Sequence, residues 1–453
     1  MVWPVGVPSV LDSSEPDGFA VQAESEMTGT RTNRRQFLNT AAAAGVSAAI
    51  FPSPLLSQGA GPHVIVIGGG FAGATCARAL KKAAPHLAVT MVEANAVYTA
   101  PPMSNAVIAG LRALKLQQFE YAAVQRDGII LALSAATAVD PHARSVTLAD
   151  GSKLPYDRLV IAPGIDFRWD AIQGYGEAAA AIIPHAWKGG QQIALLRRQI
   201  EAMDDGGTVV ISVPVNPTRC PPAPYERASL IAHYLKTKKP RSKVIVLDAK
   251  DSFTMQRLFE SAWKELYPGL IEWVSISDGG SLTSVDVASR TLVTDFDKYK
   301  VAVANIIPPQ KAGRVAEMAG VADRTGWCPV DPVSFASKLQ PNIHVIGDAA
   351  IAGAMPRSAS AANSQAKICA AAIARLIAGE LPATPTLTSS CYSLIAPDYA
   401  ISQRGTFRPI AGQYNEVEGG AIVSPLAASS MVRRTEAEQA GAWYQSITGE
   451  VFG

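Results

Sequence analysis

Short, almost continuously apolar runs recur along the chain, each closed by small or acidic residues: HVIVI at 63–67, DRLVIAPG at 157–164 and NIHVIGDA at 342–349. Such runs, rich in Val and Ile and bounded by turn formers, predict strands buried on both faces, as in a parallel sheet. Between HVIVI and the run LAVTMVE at 87–93, the pattern changes: FAGATCARALKKAA spaces its apolar residues as a helix does. Strand, helix and strand in one short segment predict a βαβ unit. A further strand is expected in GTVVISV at 207–213, followed by a helix opening near Ala223. After prolines at 382 and 385, apolar residues alternate with polar ones near AISQRGTFRP, which predicts sheet in the last stretch.

The first 60 residues lack this patterning. Arg34 and Arg35, then Phe37 and Leu38 and an alanine-rich apolar stretch, have the form of a twin-arginine export signal. That route carries proteins already folded around a cofactor, so residues 1–60 are expected to be a leader and the periplasm the destination. No second run of strongly apolar residues is long enough to span a bilayer, which argues against stable membrane insertion. With 40 basic and 38 acidic side chains among 453 residues, the surface carries no net field suited to nucleic acid. The five cysteines form neither CxxC nor CxxCH, which removes the usual support for zinc or for a covalently held haem in this chain.

Gly68, Gly70 and Gly73 complete GxGxxG straight after the first strand, and Glu93 closes the next strand 20 positions after Gly73. Glycines at these spacings let a pyrophosphate approach a helix N-terminus, and an acid at that distance can accept from a ribose hydroxyl. An adenine dinucleotide site is therefore expected. Gly164 ends the strand in DRLVIAPG, and Gly347 and Asp348 end the one in NIHVIGDA. These two patterns resemble the flavoprotein disulfide reductase superfamily, which implies FAD, with Asp348 on its ribityl and phosphate side; the lesser alternative for Asp348 taken alone is a helix N-cap. The expected fold is α/β: two Rossmann-like dinucleotide domains plus a small α+β C-terminal domain. The FAD domain, at 61–165 and 330–382, is interrupted by an NAD-like domain at 166–329, and the C-terminal domain covers 383–453.

The inserted domain departs from its type. Where a nicotinamide dinucleotide would need a glycine turn, the chain has VPVNPTRCPP, with prolines that cannot donate to phosphate and with Cys220. Near the C-terminus Cys391 lies between polar residues and an apolar strand, 171 positions after Cys220. Cys76 and Cys369 fall in helices and read as core, and Cys328 reads as a residue of packing or cofactor contact.

The order of these motifs, with RCPPAPYERA, GWCPVD, MPRSASAANSQAK and CYS, closely resembles the flavin-binding subunit of flavocytochrome c sulfide dehydrogenase. The resemblance implies that Cys220 and Cys391 form a redox-active disulfide beside FAD and that Glu226 is an acid/base group. It further implies sulfide as substrate and a c-type cytochrome subunit as partner, with haem only in that partner. A sulfide:quinone reductase is the neighbouring enzyme class. A non-catalytic electron-transfer subunit, in which the cysteines form a structural staple, is a third reading. Some members of the family attach FAD through a cysteine in a segment similar to YTAPPMSN at 98–105; here Pro101 stands at that place, so FAD is expected to be bound without a covalent bond. Changing Arg34 and Arg35 together to lysine is expected to leave FAD-loaded precursor inside the cell, as fractionation would show. Undiminished periplasmic protein would overturn the export reading.

Overall fold

In the computed structural model, which describes residues 61–453, the run His63–Ile67 forms β1 and Phe71–Ala83 forms α1. The leader with Arg34 and Arg35 lies outside the described residues. The chain continues through β2 (Ala88–Glu93), α2 (Ser104–Ile108), β3 (Ile130–Leu133) and β4 (Arg158–Ile161). All four strands belong to one parallel sheet whose central strand is β1, with Val64, Ile65 and Val66 fully buried. The turn from β1 into α1 is set by sterics. Gly68 has φ +104°, and a Cβ there would collide with the Ala162 carbonyl, while a Cβ on Gly73 would collide with the carbonyl of Gly68. Only glycine permits that closeness of helix to strand.

A second parallel sheet follows, built from β5 (Thr208–Val213), β6 (Lys243–Asp248), β7 (Ile271–Val274) and β8 (Val303–Ile306) in the order β7-β6-β5-β8. Between β5 and β6 runs α3 (Ala223–Lys238), which starts three residues after Cys220 and carries Glu226 in its first turn. Strand β9 (Ile343–Val345) then returns to the first sheet beside β4, so that the sheet reads β9-β4-β1-β2-β3. The long apolar helix α4 (Ala359–Ile377) packs against α1 across this sheet's helical layer.

The last stretch forms an antiparallel sheet of β10 (Leu387–Ala396), β11 (Tyr399–Ile410) and β12 (Gln413–Glu416), with β13 (Ile422–Val423) also paired to β11. The C-terminal helix α5 (Ser430–Phe452) closes over it, capped by the Ser429 hydroxyl, which accepts from the Val432 N–H. Its final ring, Phe452, reaches the first sheet's side of the molecule and stacks on Phe119 and Tyr98. Among the described residues no helix is long and apolar enough to cross a membrane.

Candidate active site

Three helix N-termini converge on one cavity of about 740 Å³, within the range usual for ligand sites. Gly70 and Phe71 bring the start of α1 to it, Cys220 and Ala223 the start of α3, and Ser358 and Ala359 the start of α4. The N-cap residue Gly70 offers no side chain to the first N–H groups of α1, which leaves those donors and the positive end of the helix dipole for a bound anion, whereas at the start of α3 the Ala223 N–H donates to the Cys220 carbonyl and the Tyr225 N–H to the Pro222 carbonyl. Only α4 is capped from within, by the Ser358 hydroxyl that accepts from the Ala361 N–H.

The residues singled out from the sequence meet here. Gly68, Gly70, Glu93, Gly164, Gly347 and Asp348 line the cavity together with Cys220, Glu226 and Cys391. Gly73 does not; it stands one step behind, where its lack of a side chain lets α1 approach the turn. Gly164 has φ +62° with open space where a Cβ would project. Glu93 accepts from the Gly69 N–H at 2.7 Å, which holds its carboxylate at the mouth of the glycine turn. One oxygen of Asp348, Oδ1, is buried without a partner, and burial raises the pKa of this carboxyl against the pull of Arg219 and Arg357. A buried acceptor in want of a donor, beside a glycine cradle and free helix N–H groups, suits the hydroxyls and phosphates of a dinucleotide.

Cys220 has φ +50°, a left-handed conformation that costs a non-glycine residue roughly 1–2 kcal/mol. The strain is held by a bond from its N–H to the Arg357 carbonyl at 2.8 Å and by the prolines that follow it. Cys391 projects from β10, opposite Gln403 of β11. Both cysteines are free thiols, and the nearness of Cys220, together with burial and the nearby Glu226 charge, pushes the Cys391 thiol well above the usual range.

Glu226 fastens the two halves of this pair. Its Oε1 accepts from the Leu394 N–H on β10 at 3.1 Å and its Oε2 from Asn105 Nδ2 at 2.9 Å. Asn105 in turn accepts from Arg227 Nε at 3.0 Å, and the buried Arg227 guanidinium also donates to Asn305 Oδ1 at 2.7 Å and to the Ala186 carbonyl at 2.7 Å. Sequence reasoning missed Asn105, Arg227 and Arg219. The Arg219 guanidinium stands 3.9 Å from the Asp348 carboxylate and so joins the cysteine turn to the expected FAD site. Its place beside Cys220 was a signal; nothing local marked Asn105. Trp443 of α5, which also lines the cavity and packs on Tyr392, carried no signal either. Pro101 lines the same cavity and offers no nucleophile to it.

The chain matches three family models in succession. "Pyridine nucleotide-disulphide oxidoreductase" covers residues 62–192. "Sulfide dehydrogenase [flavocytochrome c] flavoprotein chain, central" covers 193–308, and "Flavocytochrome c sulphide dehydrogenase, flavin-binding" covers 383–452. The chain belongs to the flavocytochrome c sulfide dehydrogenase flavoprotein family. Its similarity to the flavoprotein chain of that enzyme from Chlorobaculum thiosulfatiphilum is 48% identity over 45 residues, 10% of this chain and 94% of that sequence. It is also 24% identical over 298 residues to the mitochondrial sulfide:quinone oxidoreductase of Mus musculus, an alignment spanning 63% of this chain and 65% of that protein, just under two thirds of its length. The solved sulfide:quinone oxidoreductase of Aquifex aeolicus shares the fold, with a TM-score of 0.69 at 18% identity over 86% of this chain and 92% of that one. The parallel sheets of this flavoprotein match the fold of the pyridine nucleotide-disulphide oxidoreductases.

Burial pushes the Glu226 carboxyl up to about 7, against the two hydrogen bonds and the Arg227 charge that favour its ionised form. Its folded pKa therefore lies above its unfolded value of about 4.5, so the folded flavoprotein binds more protons than the unfolded chain between those limits. The stability this group confers is fully present below about pH 4.5 and is lost as pH rises through about 7. Glu226→Gln has no such proton to lose. Relative to the parent, its melting temperature is expected to rise by roughly 2–4 °C between pH 5 and pH 8. Melting curves that stay parallel across that range would contradict the assignment.

Proposed function

We propose that this flavoprotein oxidises hydrosulfide at a Cys220–Cys391 disulfide and passes the electrons through FAD to a c-type cytochrome. The observation that carries the reading is the nearness of the two thiols at the wall of the dinucleotide cavity, with Glu226 tied to both of the elements that bear them. FAD, when bound, accepts an electron pair and releases it one electron at a time, which suits a two-electron donor and a one-electron acceptor. Gly68, Gly70, Glu93, Gly164, Gly347 and Asp348 would hold it, with Gly73 setting the turn, and Pro101 leaves it without a covalent bond.

The chemistry of the chain itself is disulfide exchange. Hydrosulfide attacks one sulfur of the pair; a new S–S bond forms to that sulfur, the Cys220–Cys391 bond breaks, and its electron pair remains on the other cysteine as thiolate. The starts of α3 and α4 place positive dipole ends beside this charge. Glu226, poised near neutrality by burial, can hold a proton near Cys391 and surrender it as the thiolate is consumed. No glycine turn follows β5, so the inserted domain offers no cradle for a nicotinamide dinucleotide. Export by the twin-arginine route would place the flavoprotein in the periplasm, where such a disulfide persists.

A quinone acceptor is the second reading. It is favoured by the similarity to sulfide:quinone oxidoreductases and by exposed apolar side chains around β13 and the start of α5, among them Ile422 at 65% and Met431 at 77% exposure. Cys220→Ser and Cys391→Ser should each fold and keep FAD, because the glycine turn, Glu93 and Asp348 hold it independently. Each should lose rapid bleaching of the flavin by sulfide in stopped flow, by about a hundredfold or more, since no S–S bond remains to be split. Normal bleaching in a folded variant would return the pair to a structural staple. Reoxidation of the reduced parent by a quinone analogue, and not by a c-type cytochrome, would favour the second reading.

A further inference from the structure

Helix α5 follows the C-terminal sheet in sequence but spends its second half against the FAD domain. Ala440 and Trp443 lie on the wall of the dinucleotide cavity, and further along the helix Glu450 and Phe452 reach the back of the glycine turn. A second chamber, of about 330 Å³, lies between the β5–α3 turn, the segment before α4 and the β10–β12 sheet, and shares Cys220 and Cys391 with the first cavity. No residue of α5 lines that chamber. The helix therefore serves the dinucleotide side.

Its last turn is fixed from two other helices. Arg78 of α1 donates from Nη1 to the Glu450 carbonyl at 2.7 Å, while the Glu450 carboxylate accepts from Lys367 of α4 at 2.6 Å and from Asn363 Nδ2 at 3.4 Å. Phe452 then turns inward and is buried. Its ring stacks on Phe119 with centroids 5.0 Å apart and packs on Tyr98 at 5.3 Å, Phe71 at 5.8 Å and Tyr121 at 6.3 Å. Aromatic pairs at such spacings fix relative geometry as well as burying area.

The rings that Phe452 supports are those that shape the glycine turn. Phe71 and Tyr98 line the dinucleotide cavity. A Cβ on Gly69 would collide with the Tyr121 hydroxyl, and one on Gly70 would come within 3.3 Å of the Tyr98 hydroxyl, so these two tyrosines are the outer wall of a turn that has no side chains of its own. The Tyr121 hydroxyl is buried there without a hydrogen-bond partner, so packing alone holds its ring in place.

Resting on the reading of the first cavity as the FAD site, we infer that Phe452 is a positioning residue for the cofactor. The last turn of α5 is a clasp: it presses Tyr98, Phe71 and Tyr121 against the glycine turn and so sets how firmly the dinucleotide is retained, because a cradle binds tightly only when the groups behind it are held. The same helix carries Trp443, which packs on Tyr392 beside Cys391. Release of the clasp thus loosens the phosphate end of the site, while Trp443 stays in place at the cysteine end.

The test measures release of FAD from the loaded chain, followed on dilution by the rise in flavin fluorescence. Phe452→Ala removes the ring, and Arg78→Gln frees the Glu450 carbonyl without opening a cavity. Leu292→Ala is the control: Leu292 is fully buried in a separate apolar cluster of the inserted domain and lines neither cavity, so the variant loses packing and melting temperature without touching the clasp. Release is expected to quicken about tenfold or more in Phe452→Ala and roughly threefold in Arg78→Gln, and to stay within about twofold of the parent in Leu292→Ala. Parent-like release from folded Phe452→Ala, or equal acceleration in Leu292→Ala, would overturn the clasp and leave the FAD site standing. Should Phe452→Ala fail to fold, Arg78→Gln decides, and parent-like release from it would overturn the clasp. A parent chain that takes up no FAD would overturn the reading of the cavity and the clasp with it.

Discussion

Cys220 and Cys391 meet because one carboxylate is shared between the two elements that carry them. Glu226, one turn into α3, accepts from the backbone of β10 and from Asn105 of α2, so the strained turn before α3 and the strand of the C-terminal sheet are drawn onto the same wall. Burying that carboxylate has an electrostatic cost, visible in the raised pKa, and two hydrogen bonds with a neighbouring guanidinium offset part of it. A carboxyl that burial lifts to about 7 thus ties the junction together. Its anchoring depends in turn on Arg227, whose buried bonds to Asn105, Asn305 and the 185–186 carbonyls fix the first turn of α3 against the rest of the molecule.

Nearness of two thiols does not by itself make a redox site. Cys76 on α1 and Cys369 on α4 are also neighbours, and both are fully buried between packed helices, where desolvation drives the Cys369 thiol far up and neither of the two cavities described above is lined by them. What separates Cys220 and Cys391 is placement. They are half-buried, face a cavity on each side, and stand at the start of a helix whose first N–H groups have no side-chain cap. Those features leave both sulfurs open to a nucleophile and set them on the wall of the dinucleotide cavity.

Much of the fold and part of the site could be read from local sequence, and the reason is physical. The runs at 63–67, 158–161 and 343–345 are strands buried on both faces, which compels continuous apolar stretches, and they lie side by side in the first sheet. Gly68, Glu93 and Gly164 answer to backbone geometry within a few residues of a strand end, so their spacing carries the information. By contrast, Asn105 reaching Glu226 across 121 positions, Arg219 reaching Asp348, and a chamber assembled from six separate segments are products of packing between distant parts of the chain, and no periodicity encodes them. The pairing of Cys220 with Cys391 was accessible only through resemblance to a family, since their separation of 171 positions leaves no local trace.

The account stands on one claim, that the two cysteines cycle between disulfide and dithiol in step with the flavin. The direct measurement is peptide mapping without reductant on FAD-loaded protein, rapidly alkylated at each stage of an anaerobic sulfide titration while flavin absorbance is followed. The account predicts a cross-linked Cys220–Cys391 peptide in the oxidised protein, its loss in proportion to flavin bleaching, and its return when a one-electron acceptor is added. A cross-link that survives while sulfide fully reduces the flavin would contradict it.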